Sequence, residues 1–70
     1  MERMEFPGSS VLASAAFDEA TNRLTVTFKS GRSYEFFDIP MDVWFGLKEA
    51  ESKGRYFTQN IKGKFLPRIL

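Results

Sequence analysis

Between Arg23 and Lys29 the chain alternates strictly, with Leu24, Val26 and Phe28 on one side and Thr25, Thr27 and Lys29 on the other. A period of two in a run rich in β-branched and aromatic residues predicts a half-buried strand. Ser33 to Asp38 alternates again, setting Tyr34 and Phe36 against Ser33, Glu35 and Phe37. Between these runs Lys29-Ser30-Gly31-Arg32 supplies a tight turn in which Gly31 is free to take a positive φ, so the two strands make a hairpin. Upstream, Val11 to Phe17 is short, rich in small residues and closed by the turn-like Asp18-Glu19-Ala20-Thr21-Asn22. Read as a third strand, it completes a three-stranded antiparallel meander, because sequential strands usually neighbour one another.

The period then changes. Pro40 suits the first turn of a helix and Asp42 its positive end. Val43, Leu47 and Ala50 recur at spacings of four and three, with Trp44 beside them. Gly46 weakens this helix by about 1 kcal/mol relative to alanine, so packing must compensate or require its small size. Ser52 is a fair N-cap for a second, shorter helix from about Gly54 to Lys62, with Phe57 and Ile61 facing the core and Gly63 as its stop. Phe65-Leu66-Pro67 reads as an extended tail that docks an aromatic. The opening through Pro7 and Gly8 reads as a flexible N-terminus, with Ser9 and Ser10 at the start of structure. The predicted architecture is α+β: a three-stranded antiparallel meander packed against one longer and one short C-terminal helix, in a single domain of residues 9–70 after a flexible 1–8.

Seventy residues make one domain. With no cysteine and no histidine there are no disulfides, thiolate or imidazole metal ligands, nor the commonest general base. Eight Phe, two Tyr and one Trp must carry stability through packing. The start of the chain carries Glu2 and Glu5 in place of a basic, apolar leader, and no window nears the ~20 apolar residues that span a bilayer. These features point to a cytoplasmic protein with no membrane association and no small-molecule cofactor.

Charge divides the chain. Residues 1–51 hold five Lys/Arg against nine Asp/Glu, a net of −4, whereas residues 52–70 hold five Lys/Arg and no acid, a net of +5. The carboxylates Asp38 and Asp42 are explained by helix-terminus electrostatics, and the adjacent Ser52 and Lys53 point apart on a helix, so no catalytic pair emerges and the chain reads as no enzyme. The basic segment interleaves cations with rings, a combination that serves phosphates and unpaired bases. Its candidate nucleic-acid-binding residues are Lys53, Arg55, Tyr56, Lys62, Lys64 and Arg68. Phe57 and Phe65 are assigned to the core, which leaves Tyr56 as the ring expected at the surface, and Tyr34 is assigned to the core with Phe36. RNA or single-stranded nucleic acid is the first expected partner. The alternative is a protein-interaction or homodimerisation module meeting its partner through Trp44, Phe45 or a free strand edge.

The ordered features Ser9-Ser10, Phe17-Asp18, Leu24-Thr25-Val26-Thr27-Phe28-Lys29-Ser30-Gly31, Tyr34-Glu35-Phe36, Ile39-Pro40, Val43-Trp44, Ala50, Ser52-Lys53-Gly54-Arg55-Tyr56-Phe57 and Ile61-Lys62-Gly63-Lys64-Phe65 together resemble the KTSC domain. That family comprises a short module at the C-terminus of some lysyl-tRNA synthetases and stand-alone bacterial proteins. The family's central Tyr-x-Tyr is Tyr34-Glu35-Phe36 here, one hydroxyl short. The attachment to a synthetase implies RNA binding by association, in the same direction as the basic segment.

Overall fold

A computed structural model describes residues 1–69; Leu70, the last residue of the expected domain, lies outside the described residues. The two alternating runs form β3 (Arg23–Phe28) and β4 (Ser33–Phe36), paired with Val26 opposite Tyr34 and Leu24 opposite Phe36. Gly31 takes φ 97° in the turn between them. On the outer face the Thr27 and Ser33 hydroxyls hydrogen-bond at 3.0 Å. β2 (Leu12–Asp18) pairs antiparallel with β3, as expected. Its register shifts between Leu12 and Ser14, so Ala13 is an extra residue. Leu12 and Ala15 are an odd number of positions apart and would otherwise face opposite ways. The bulge turns both into the core with Phe17.

The sheet has five strands, not three. β1 (Glu2–Glu5) pairs with β2 and β5 (Pro67–Ile69) with β4, both antiparallel, giving the order β1-β2-β3-β4-β5. The expected flexible N-terminus is thus an outer strand, and its anchors are non-local. Glu2 accepts hydrogen bonds from Trp44 Nε1 and Lys48 Nζ, each at 2.8 Å. Met4 packs on the core, and Phe6 is only 3% exposed. The expected docking tail divides in two: Phe65 packs against the core, and Pro67–Ile69 extends the sheet.

The Glu2 latch carries a pH signature. The hydrogen bond from Lys48, then that from Trp44, holds the Glu2 carboxyl below the usual carboxylate range. A depressed folded pKa contributes stability that is present above the unfolded value, about 4.3, and is lost as pH falls through the folded one. Thermal melts from neutral to acid pH are expected to show a smaller decline for Glu2→Gln than for the parent chain over that window. Parallel declines would show that the latch contributes nothing.

α1 (Met41–Glu49) begins beside Pro40, whose carbonyl accepts from the Val43 and Trp44 N–H groups at 3.0 and 3.3 Å. Its buried residues are Trp44 and Leu47, with Val43 packed partly against the core. Trp44, expected among the exposed apolar residues, is 1% exposed and stacks on Phe17 with ring centroids 5.5 Å apart. Phe45 on the next helical position is 50% exposed, with Lys48 Nζ 4.4 Å from its ring centre. α2 (Lys53–Phe57) starts at Ser52, whose Oγ accepts from the Arg55 N–H, as an N-cap should. It runs on into a wider π-helical turn, Thr58–Lys62, and the expected pair Phe57 and Ile61 are both buried.

Among the described residues no helix is long and apolar enough to cross a membrane.

Candidate functional site

Paired residues share a face, so Tyr34 and Phe36 of β4 and their partners Ile69 and Pro67 of β5 lie on the inner side of the sheet. There, between the hairpin and the α2–π segment, a groove of about 340 Å³ stays open. Phe28, Tyr34, Phe36 and Phe57 wall it. Phe28 is the hub of this cluster, meeting Tyr34 and Phe57 edge to face at 5.4 Å each. Such perpendicular contacts suit the ring quadrupoles; Phe36 and Phe57 are buried, and Phe28 and Tyr34 are half-buried. Arg32 and Lys62 line the same groove, with the hydroxyl residues Ser30 and Thr58, and among the described residues no acidic side chain does. The site is therefore aromatic inside and cationic at its polar side chains.

Of the six residues expected to bind, Lys62 alone lines this groove. Lys53 Nζ donates to the Lys48 carbonyl at the end of α1 and sits 5.7 Å from the Phe6 ring centre, so it closes a helix C-terminus. Arg55 lies beyond a ridge formed by Val11 and Thr58, in a second and more polar hollow. Lys64 is exposed in the turn after the π-helical segment. Arg68 stands opposite Glu35 on the outer face of the sheet, where Glu35 also meets Arg23 at 3.4 Å. Its charge faces away from the groove.

Tyr56 is the clearest correction. Its hydroxyl donates to the Val43 carbonyl at 3.0 Å, and its ring lies against the α-carbon of Gly46, where a methyl group would come within 2.1 Å of the phenolic oxygen. Burial, and secondly the Asp42 carboxylate, pushes this phenol above its ordinary pKa, which keeps it a proton donor. Tyr56 is thus a half-buried buttress between the helices, and it does not line the groove. Tyr34, which the alternation had placed in the core with Phe36, is one of the rings at the cationic groove. It packs partly against the core and partly lines the groove. Arg32 was missed as a site residue. The available signal was the turn Lys29-Ser30-Gly31-Arg32, which holds a strand tip and two cations beside the aromatic hairpin.

The KTSC domain family model matches residues 8–65. A lysine–tRNA ligase of Nostoc punctiforme is 42% identical over 59 residues, covering 84% of this chain and 10% of the ligase. The chain therefore spans about a tenth of the length of such relatives. An uncharacterised protein of Stutzerimonas stutzeri is 39% identical over 62 residues, covering 89% of this chain and 86% of that protein. The crystal structure of a KTSC domain protein from Yersinia pestis superposes with a TM-score of 0.88 at 33% identity, over 99% of this chain and 96% of that one. By sequence and by fold, the chain belongs to the KTSC domain family.

Proposed function

We propose that this chain is a non-catalytic module that binds single-stranded nucleic acid, RNA in the first instance, on the face formed by the β3–β4 turn and the α2–π segment. One observation carries the reading: Arg32 and Lys62 share an aromatic-walled groove that no Asp or Glu side chain lines among the described residues. Cations neutralise phosphates, and the half-buried rings of Phe28 and Tyr34 are the ones within reach of an unpaired base, with base–aromatic stacking contributing about 1–3 kcal/mol per base. Neither Arg32 nor Lys62 forms an ion pair among the described residues, whereas Arg3, Arg23 and Lys48 do. The relatives that carry this module as a tenth of a lysine–tRNA ligase offer a setting in which RNA is at hand. With so few contacts the affinity is low, and the module acts by raising local concentration for whatever it accompanies.

The protein-interaction reading has less support. Trp44 is buried and both outer strands discourage pairing, β1 being Glu-Arg-Met-Glu and β5 three residues beginning with proline, so Phe45, half exposed with Lys48 over its ring, is what remains of it.

Fluorescence anisotropy of mixed-sequence RNA and DNA oligomers across a salt series checks the proposal. Binding is expected at low salt, with log affinity falling by about 0.7 for each tenfold rise in salt per contacted phosphate. Lys62→Glu with Lys64→Glu is expected to abolish it. Undetectable binding at low salt, or affinity indifferent to those substitutions, would overturn the proposal.

A further inference from the structure

The aromatic groove does not end at Thr58. On the other side of the ridge made by Val11 and Thr58 lies a second hollow of about 470 Å³, reaching from Ser9 and Ser10 to Ser52, Arg55 and Gln59. Both hollows count Val11 and Thr58 among their walls, so they adjoin at these two residues. Val11 is 48% exposed at its crest. The two halves differ in chemistry: the first is walled by rings, the second by hydroxyls, an amide, the Arg55 guanidinium and the Glu51 carboxylate.

The hydroxyls of the second hollow are already oriented. Ser9 Oγ accepts from the Val11 and Leu12 N–H groups at 3.2 and 3.0 Å. With its lone pairs so used, its proton is left for donation. Ser52 Oγ accepts from the Arg55 N–H, which leaves its proton in the same position. Ser9, Ser52 and Arg55 line one hollow, so two hydroxyl donors and a guanidinium are available there to phosphate oxygens. Glu51 lines the same hollow and opposes an anion there. Lys53 and Arg68 line neither hollow, since one caps α1 and the other lies on the outer sheet face.

Resting on the nucleic-acid reading above, we infer that the two hollows form a single short footprint for a single strand, with a base held in the aromatic groove beside Arg32 and Lys62 and the adjoining sugar-phosphate carried over the Val11–Thr58 ridge to Ser9, Ser52 and Arg55. The strand crosses the domain edge and is not followed along its length. The footprint is on the order of two nucleotides, shorter than the about 4–16 of an OB-fold.

Competition of unlabelled RNA oligomers of increasing length against a labelled RNA strand tests this. Affinity is expected to rise from a mononucleotide to about two or three nucleotides and then level off. Arg55→Glu and Arg32→Glu, both at exposed positions, are each expected to weaken a short oligomer roughly tenfold. Glu51→Gln is expected to strengthen it, and Arg68→Glu to leave it unchanged. Oligomer binding that ignores Arg55→Glu and Glu51→Gln while responding to Lys62→Glu would overturn the two-hollow footprint and leave the broader reading standing. Affinity that keeps climbing with length, or is reduced as much by Arg68→Glu, would also overturn the footprint. No binding of any oligomer at low salt would sink both.

Discussion

Replacing Trp44 with alanine is expected to remove about 3–5 kcal/mol of stability, the range for truncating a buried large aromatic. Three contacts concentrate on this side chain. It stacks on Phe17, its indole N–H donates to Glu2 of the outer strand, and Lys48 Nζ lies 5.5 Å from its ring centre. At roughly 0.05–0.15 kcal/mol per residue, a chain of 70 residues has about 4–10 kcal/mol in total. At the low end of that range the alanine variant is largely unfolded at 25 °C, and at the high end it keeps about half or more of its stability. Trp44→Phe retains a ring and forfeits the Glu2 bond, so it is expected to lose less. Urea unfolding followed by far-ultraviolet circular dichroism gives both numbers without depending on tryptophan fluorescence. A loss below about 1.5 kcal/mol for the alanine variant would mean that the α1–sheet contact is not what holds the two layers together.

Gly46→Ala is expected to destabilise the protein although it raises the helix propensity of α1. Propensity favours alanine by about 1 kcal/mol. Against this, the added methyl would meet three atoms of the Tyr56 phenol within 2.9 Å. The clash runs along a rigid ring, not only at its tip, so the ring must swing away and give up its bond to the Val43 carbonyl. Overpacking costs about 1–3 kcal/mol, and a lost hydrogen bond about another 1. The net expectation is a loss of about 1–3 kcal/mol. The sign should reverse in a Tyr56→Ala background, where the methyl has room and only the propensity gain remains. A double-mutant cycle by chemical denaturation measures this coupling. Equal effects of Gly46→Ala in both backgrounds would contradict the packing account.

What could be read from the sequence follows from the length of each signal. The hairpin was legible because Leu24, Val26, Phe28, Tyr34 and Phe36 repeat at period two around a glycine turn. The second helix was legible because Ser52 caps it and Phe57 and Ile61 share a face. β1 was not, because Glu-Arg-Met-Glu has one apolar side chain and owes its place to Trp44 and Lys48, more than forty positions away. β5 was not, because a three-residue strand starting at proline carries no period. The π-helical turn leaves no mark in the sequence, since Phe57 and Ile61 would bury equally well in an α-helix.

The candidate site was half legible. A surplus of positive charge was plain, but charge counts do not say which side of a sheet a side chain takes. Arg68 is sent outward by its register with Glu35, and Lys53 is claimed by a helix end. Arg32 enters from a distant turn to stand in the groove with Lys62. Tyr56 was placed at the surface because its neighbours filled the core, yet Gly46 had already signalled that something large needed to approach α1. The aromatic role passes to Tyr34, whose hairpin position gives it one side in the core and one in the groove.

The central claim is that single-stranded nucleic acid binds the groove between the β3–β4 turn and the α2–π segment. The most direct measurement is a nuclear magnetic resonance titration of the isotope-labelled chain with a short single-stranded RNA at low salt. The account predicts that amide shifts gather at Val11, Ser30 to Tyr34 and Arg55 to Lys62, with Arg23, Glu35 and Arg68 on the outer sheet face unmoved. An unchanged spectrum, or shifts centred on that outer face, would contradict it.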